Sequence, residues 1–143
     1  MTCCECLFWA FVAILGIVEG IFYYFYNQIK RHSEKITNIK ELTKKIKYWK
    51  ERLGISHLII KYKLDRKMKV DGKCAVVKKN RIYELTINPK KCREATILHE
   101  LLHIKGRHNH ICKTDRPLIR WPINIITDMI VDPKVVLIWK KKR

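Results

Sequence analysis

The chain has 143 residues, with 31 Lys plus Arg against 13 Asp plus Glu and a formal net charge of +18. That length is short for more than one ordinary domain, and the charge excludes an acidic disordered tail. With 5 Gly, 4 Pro and 48% hydrophobic residues, a collagen-like or Gly/Pro-rich low-complexity chain is excluded and a packed core is within reach.

The charge is unevenly spread. All 31 basic residues and 11 of the 13 acidic ones lie from Lys30 onward, which gives that segment a net charge of +20. The chain therefore divides into a hydrophobic leader, residues 1–29, and one basic domain, residues 30–143.

From Cys6 to Tyr26 the sequence CLFWAFVAILGIVEGIFYYFY is 21 residues with a single ionisable side chain, Glu19. This is the length a helix needs to cross the hydrocarbon of a bilayer. Tyr23, Tyr24 and Tyr26 stand at one end, where amphipathic rings favour the headgroup level, and Lys30, Arg31 and Lys35 follow. The expectation is a single-pass membrane protein whose C-terminal domain stays cytoplasmic. A cleaved signal peptide fits less well, because no basic n-region precedes the apolar run and that run continues past Val18-Glu19-Gly20. Glu19 would cost a few kcal/mol at mid-bilayer, so a place near the interface or a polar partner is expected. Cys3, Cys4 and Cys6 leave lipidation or incidental thiols open. Cys74, Cys92 and Cys112 stand far apart, which suits reduced thiols rather than a disulfide framework.

In the basic domain, Ser33 is a candidate N-cap for a helix on which Ile36, Ile39, Leu42, Ile46, Trp49 and Leu53 recur at steps of three and four. Gly54 supplies the stop. The polar face of this helix is rich in lysine and would be either simply solvated or drawn to anionic headgroups. Leu58, Ile60, Tyr62 and Leu64 alternate with Ile59, Lys61 and Lys63, the period of a half-buried strand. Turns at Asp71-Gly72 and Lys79-Asn80 leave Cys74 to Lys78 as a second strand and Arg81 to Asn88 as a third, closed by Pro89. A second helix runs from about Lys91 to Gly106, with Ala95, Leu98, Leu101, Leu102 and Ile104 apolar. A third, WPINIITDMIVD, opens at Pro122 and is broken by Pro133, ahead of an apolar tail, Val135 to Trp139.

The second helix carries His99-Glu100-Leu101-Leu102-His103. Two imidazoles four residues apart share one helical face, so both can reach one metal ion. Glu100 then points to the flank where a coordinated water would lie. The chemistry is specific: Zn²⁺ held by neutral nitrogen and oxygen ligands at about 2.0 Å, with one position left for water whose pKa falls toward about 7. Glu100 would take that water's proton and pass it to a leaving amine, which is peptide hydrolysis. The strand before this helix could offer its edge to an extended substrate.

For the third ligand, His108 and His110 lie beyond Gly106, where the chain could fold back. The long metzincin pattern is missed, because Asn109 stands where HExxHxxGxxH needs histidine. Asp128, four residues after Asn124 on the third helix, is the favoured candidate, leaving His108 as a supporting donor or alternate ligand. Asp132 would cap the helix end or meet a lysine. His32 and His57 have no partner near them in sequence and are taken as ordinary polar side chains.

HELLHIKGRHNH followed by WPINIITDMIVD resembles the metallopeptidase-like domain associated with von Willebrand A domains, with its HExxHxxxxH and later NIxxDxx(I/V)N/D stretch. The order of strands before HExxH is also similar to the small SprT-like and YgjP-like zincins. The resemblance covers roughly Leu58 to Asp132 and maps onto His99, Glu100, His103, His108 and Asp128. The chain departs from the pattern in having Asp132 where Asn is common. The resemblance implies a minimal HExxH zincin metallopeptidase, in which a small twisted sheet packs against the active-site helix.

The expected fold is thus α+β: an N-terminal transmembrane helix, then a zincin-like domain of a helix, three strands, the HExxH helix and a further helix. The expected function is a membrane-anchored zinc peptidase with Glu100 as catalytic residue, His99, His103 and Asp128 as ligands, and a polypeptide substrate. The alternative is a non-catalytic, metal-stabilised basic module binding nucleic acid or anionic lipid, whose affinity would fall steeply with salt. Gly-rich recognition motifs and aromatic interleaving, which would favour nucleic acid, are absent.

Overall fold

A computed structural model describes residues 3–78, 82–106 and 117–142, with Lys78 and residues 117–127 described by backbone alone. The order of elements is α1 (Cys3–His32), α2 (Ile39–Leu53), β1 (Ile59–Leu64), β2 (Gly72–Lys78), β3 (Ile82–Ile87), α3 (Glu94–Gly106) and α4 (Pro117–Lys140). This is an α+β arrangement of four helices and one three-stranded sheet among the described residues.

α1 is a single helix of 30 residues, long and apolar enough to cross a membrane. Its outer three-quarters expose Leu7, Phe8, Trp9, Phe11, Ile14 and Ile17. Its last turns join the rest of the chain, where Tyr26 is buried, Ile29 packs against the core, and Lys30 pairs with Asp71.

α2 starts later than the sequence suggests. Its N-cap is Asn38, whose Oδ1 accepts from Glu41 N at 2.9 Å, while Glu41 reaches back to accept from Thr37 N at 3.1 Å. This reciprocal pair resembles a capping box and outcompetes Ser33 for the role. Ser33 instead donates to the Lys30 carbonyl and accepts from Ala95 N, stitching the end of α1 to the start of α3. Gly54 does end α2, at φ +69°, where a side chain would be strained. Leu42, Ile46, Trp49 and Leu53 are the buried stripe.

The sheet runs in the order β1-β3-β2, so the last strand in sequence is the central one. β1 pairs parallel to β3 with Ile60, Tyr62 and Leu64 opposite Tyr83, Leu85 and Ile87, and β2 pairs antiparallel with a register shift between Val76 and Lys78. Both edges therefore belong to β1 and β2, which corrects the expectation that the strand preceding the HExxH helix has an open edge. Gly72 opens β2 rather than completing a turn, because the strand comes so near α3 that a Cβ there would lie 3.0 Å from Thr96 Cγ2 and 3.3 Å from Glu100 Cγ. The turn expected at Lys79-Asn80 lies outside the described residues.

α3 begins at Glu94, not Lys91, and is buried from Glu94 to Leu98 and from Glu100 to Ile104. A helix apolar nearly all round belongs in the middle of a fold, and it lies between the sheet, α2, α1 and α4. α4 differs most from the sequence expectation: it runs unbroken from Pro117 through Pro122 and Pro133 to Lys140. A proline inside a helix costs about 3 kcal/mol. Downstream of Pro133, Val135, Val136 and Trp139 are all buried, each burial contributing roughly 1.5–3 kcal/mol, so continuing the helix wins. Trp139 stacks on Trp49 of α2 with centroids 5.9 Å apart, which joins the chain's last helix to its second.

Candidate metal centre

α3 brings His99 and His103 onto one face, one turn apart, with their Nε2 atoms 2.9 Å from each other. α4 lies against that face and supplies Asp128, whose Oδ1 is 3.3 Å from His103 Nε2 and 3.6 Å from His99 Nε2. The three atoms form a nearly equilateral triangle. Ligands about 2.0–2.1 Å from a tetrahedral ion sit roughly 3.3–3.4 Å apart, and the sides of 2.9, 3.3 and 3.6 Å bracket that value. His99, His103 and Asp128 are therefore a group that could hold one metal ion. The donor set of two imidazole nitrogens and one carboxylate oxygen is one that first-row divalent metals accept.

The surroundings support such a group. His99 turns its other nitrogen, Nδ1, toward Asp132 Oδ1 at 3.1 Å. Metal-binding histidines regularly meet a carboxylate there, which fixes the tautomer and leaves Nε2 for the metal. Asp132 thus does not cap a helix end, because α4 continues past it, and among the described residues no lysine pairs with it; the i, i+4 relation to Asp128 sets both carboxylates on one face. Burial disfavours the charged form of His99, but the Asp128, Asp132 and Glu100 carboxylates outweigh it and push the imidazole up to about 9. The metal-free site thus stores a proton that an entering cation must displace.

Glu100 is buried on the neighbouring flank of α3, where its Oε2 accepts from Cys74 N of β2 at 3.1 Å. The edge strand thereby fixes the carboxylate's position, and the close approach at Gly72 is what permits it. On the opposite side, the Tyr26 ring of α1 covers His99, with centroids 5.1 Å apart. Exposure across the site is graded: the His103 side chain is 0% exposed, His99 12% and Asp128 38%. Asp128 is thus the most exposed of the three side chains, although its donor atom Oδ1 is itself buried.

All four residues singled out from the sequence, His99, Glu100, His103 and Asp128, meet here. His108 and His110 lie outside the described residues. His57 is exposed, and exposed His32 contacts only the Gln28 carbonyl of its own helix among the described hydrogen bonds. Tyr26, Asp132 and the Cys74 amide were not legible as parts of the site, although the four-residue spacing of Asp128 and Asp132 could have indicated the second carboxylate. Comparison with protein-family models, with curated proteins and with solved structures finds no match to this chain.

Proposed function

We propose that this chain is a membrane-anchored, zinc-dependent peptidase, held in the bilayer by α1 with its basic domain on the cytoplasmic side. The observation that carries this reading is the convergence of His99, His103 and Asp128 from two helices, with the Glu100 carboxylate braced beside them by the backbone of an edge strand. Zinc, when bound, supplies a Lewis acid and lowers the pKa of a coordinated water toward about 7.

The chain's own residues divide the remaining work. His99, His103 and Asp128 hold the ion, and Asp132 orients His99. Glu100, fixed through one oxygen, receives the proton of the attacking water and delivers it to the leaving amine. The β2 edge, which runs alongside α3, offers backbone groups with which an extended substrate can align. The +20 charge beyond Lys30 supports the cytoplasmic placement, since basic segments next to a span stay on that side.

The test is Glu100→Gln, with zinc content and peptide hydrolysis measured on the same preparation. The expected outcome is stoichiometric zinc in both proteins and a loss of about 10²–10⁴-fold in turnover. Purified wild type without zinc defeats the reading. Salt-sensitive binding of nucleic acid or anionic lipid, with no hydrolysis and no response to Glu100→Gln, would favour the non-catalytic basic module instead.

A further inference from the structure

α1 and α4 lie side by side and run in the same direction. Glu19 is near enough to Asp128 and Asp132 to feel their charge, Tyr26 stacks on His99 of α3, and Phe25, Ile29 and His32 share a cleft with Val136, Trp139 and Lys140. Glu19 thus lies toward Asp128 and Asp132, and the Phe25 to His32 stretch beside Val136 to Lys140, which gives the two helices the same direction. The exposed rings Tyr23 and Tyr24 fall between Glu19 and Phe25, hence between the level of Asp128 and Asp132 and that of Val136.

In the anchored reading, these two tyrosines mark the headgroup level. Asp128 then stands at that level or just inside it, about one turn from Asp132. On the surface of α4, Ile130 is exposed on the membrane side of the belt, and Lys134, Leu137 and Lys140 are exposed on the water side. Asp128 is the site's most exposed ligand side chain, whereas His103 is sealed.

We infer that the substrate is a polypeptide segment emerging from the membrane, cut at the headgroup level where its span ends, the level at which Tyr26 meets His99. This rests on the peptidase reading and gives it a substrate class: the juxtamembrane stretch of a membrane-inserted chain. A segment held in the same bilayer meets the centre at a higher effective concentration than a freely diffusing polypeptide does.

Two measurements test this on the full-length, zinc-loaded protein in liposomes. The first offers a single-span reporter followed by a flexible stretch of about 40 residues, against the same stretch freed from its span. Cuts should cluster within about five residues of the span, at a rate at least about tenfold above that of the freed stretch. Cuts scattered along the stretch, with the freed form cleaved as fast, overturn the inference and leave the peptidase intact. No cleavage of either reporter removes the peptidase reading and the inference with it.

The second measurement needs no turnover and no metal. A nitroxide is placed at Ile130→Cys or, as reference, at Lys47→Cys on exposed α2, with Cys3, Cys4, Cys6, Cys74 and Cys112 changed to serine. Cys92 is buried, and that burial pushes its thiol up to about 12, so it escapes labelling. The label at 130 should be relaxed by oxygen and shielded from a water-soluble nickel chelate, and the label at 47 the reverse. Equal nickel accessibility at both positions sets the centre in water and overturns the inference, whatever the peptidase activity.

Discussion

His99 binds its surroundings through both ring nitrogens, and this couples metal loading to pH. Its raised pKa, about 9 in the metal-free site, comes from Asp128, Asp132 and Glu100 acting against burial. A histidine raised in this way stabilises the metal-free fold below its ordinary value of 6.5, and loses that contribution as pH climbs through about 9. A divalent ion needs the neutral ring, so loading expels the proton. Calorimetric titration of zinc at pH 7.5, repeated in buffers of different ionisation enthalpy, should show about one proton released per ion. Replacing Asp132 with Asn should bring that number toward zero and weaken zinc binding by about 10–100-fold, the usual consequence of removing a carboxylate behind a ligating histidine. A proton count that Asp132→Asn leaves unchanged would remove Asp132 from the role given to it here. The histidine pair itself was plain in the sequence, since four residues of helix bring two side chains together whatever else the fold does. Asp132 was misjudged because Pro133 was taken to end the helix, which turned a neighbour of the site into a helix terminus.

Among the elements, α3 depends on a buried charge at its first turn. Glu94 is 1% exposed and accepts from Trp49 Nε1 at 3.0 Å, Lys45 Nζ at 2.8 Å and Lys142 Nζ at 2.7 Å. Lys142 also lies over the Trp139 ring, 4.7 Å from its centroid. A carboxylate at a helix N-terminus is favourable, and here it ties α2, α3 and the end of α4 together. Glu94→Ala leaves two ammonium groups and an indole N–H without their shared acceptor, and a loss of about 3–5 kcal/mol in denaturant unfolding is expected. A loss below about 1 kcal/mol would mean that the network is decorative. None of this was legible beforehand, because Lys45, Glu94 and Lys142 are separated by tens of residues and look like ordinary surface charges. The sheet shows the same divide. Alternation along Leu58 to Leu64 and Tyr83 to Ile87 announced the strands and their inward faces, whereas the order β1-β3-β2 depends on long-range pairing that periodicity does not encode. Two local signals near α2 conflicted, and the Asn38 and Glu41 pair prevailed over Ser33 because the Asn38 side chain satisfies the Glu41 amide and the Glu41 carboxylate satisfies the Thr37 amide.

At the scale of the molecule, the leader and the basic domain meet at the site. The composition split at Lys30 is a real change of chemistry, but α1 runs through it to His32 and lays Tyr26 on His99. The helix that is long and apolar enough to cross a membrane thus also covers a residue of the candidate site. The resulting layout sets the sheet edge beside Glu100, α1 over His99 and the most exposed of the three candidate ligands at Asp128. All of it depends on one triangle of donor atoms accepting one cation. The most direct measurement is zinc binding and zinc X-ray absorption on wild type, Asp128→Ala and His108→Ala. The account predicts one zinc per chain in the wild type with two imidazoles among nitrogen and oxygen neighbours at about 2.0–2.1 Å, loss of stoichiometric binding in Asp128→Ala, and retention in His108→Ala. Full zinc occupancy in Asp128→Ala, with loss in His108→Ala, would contradict it.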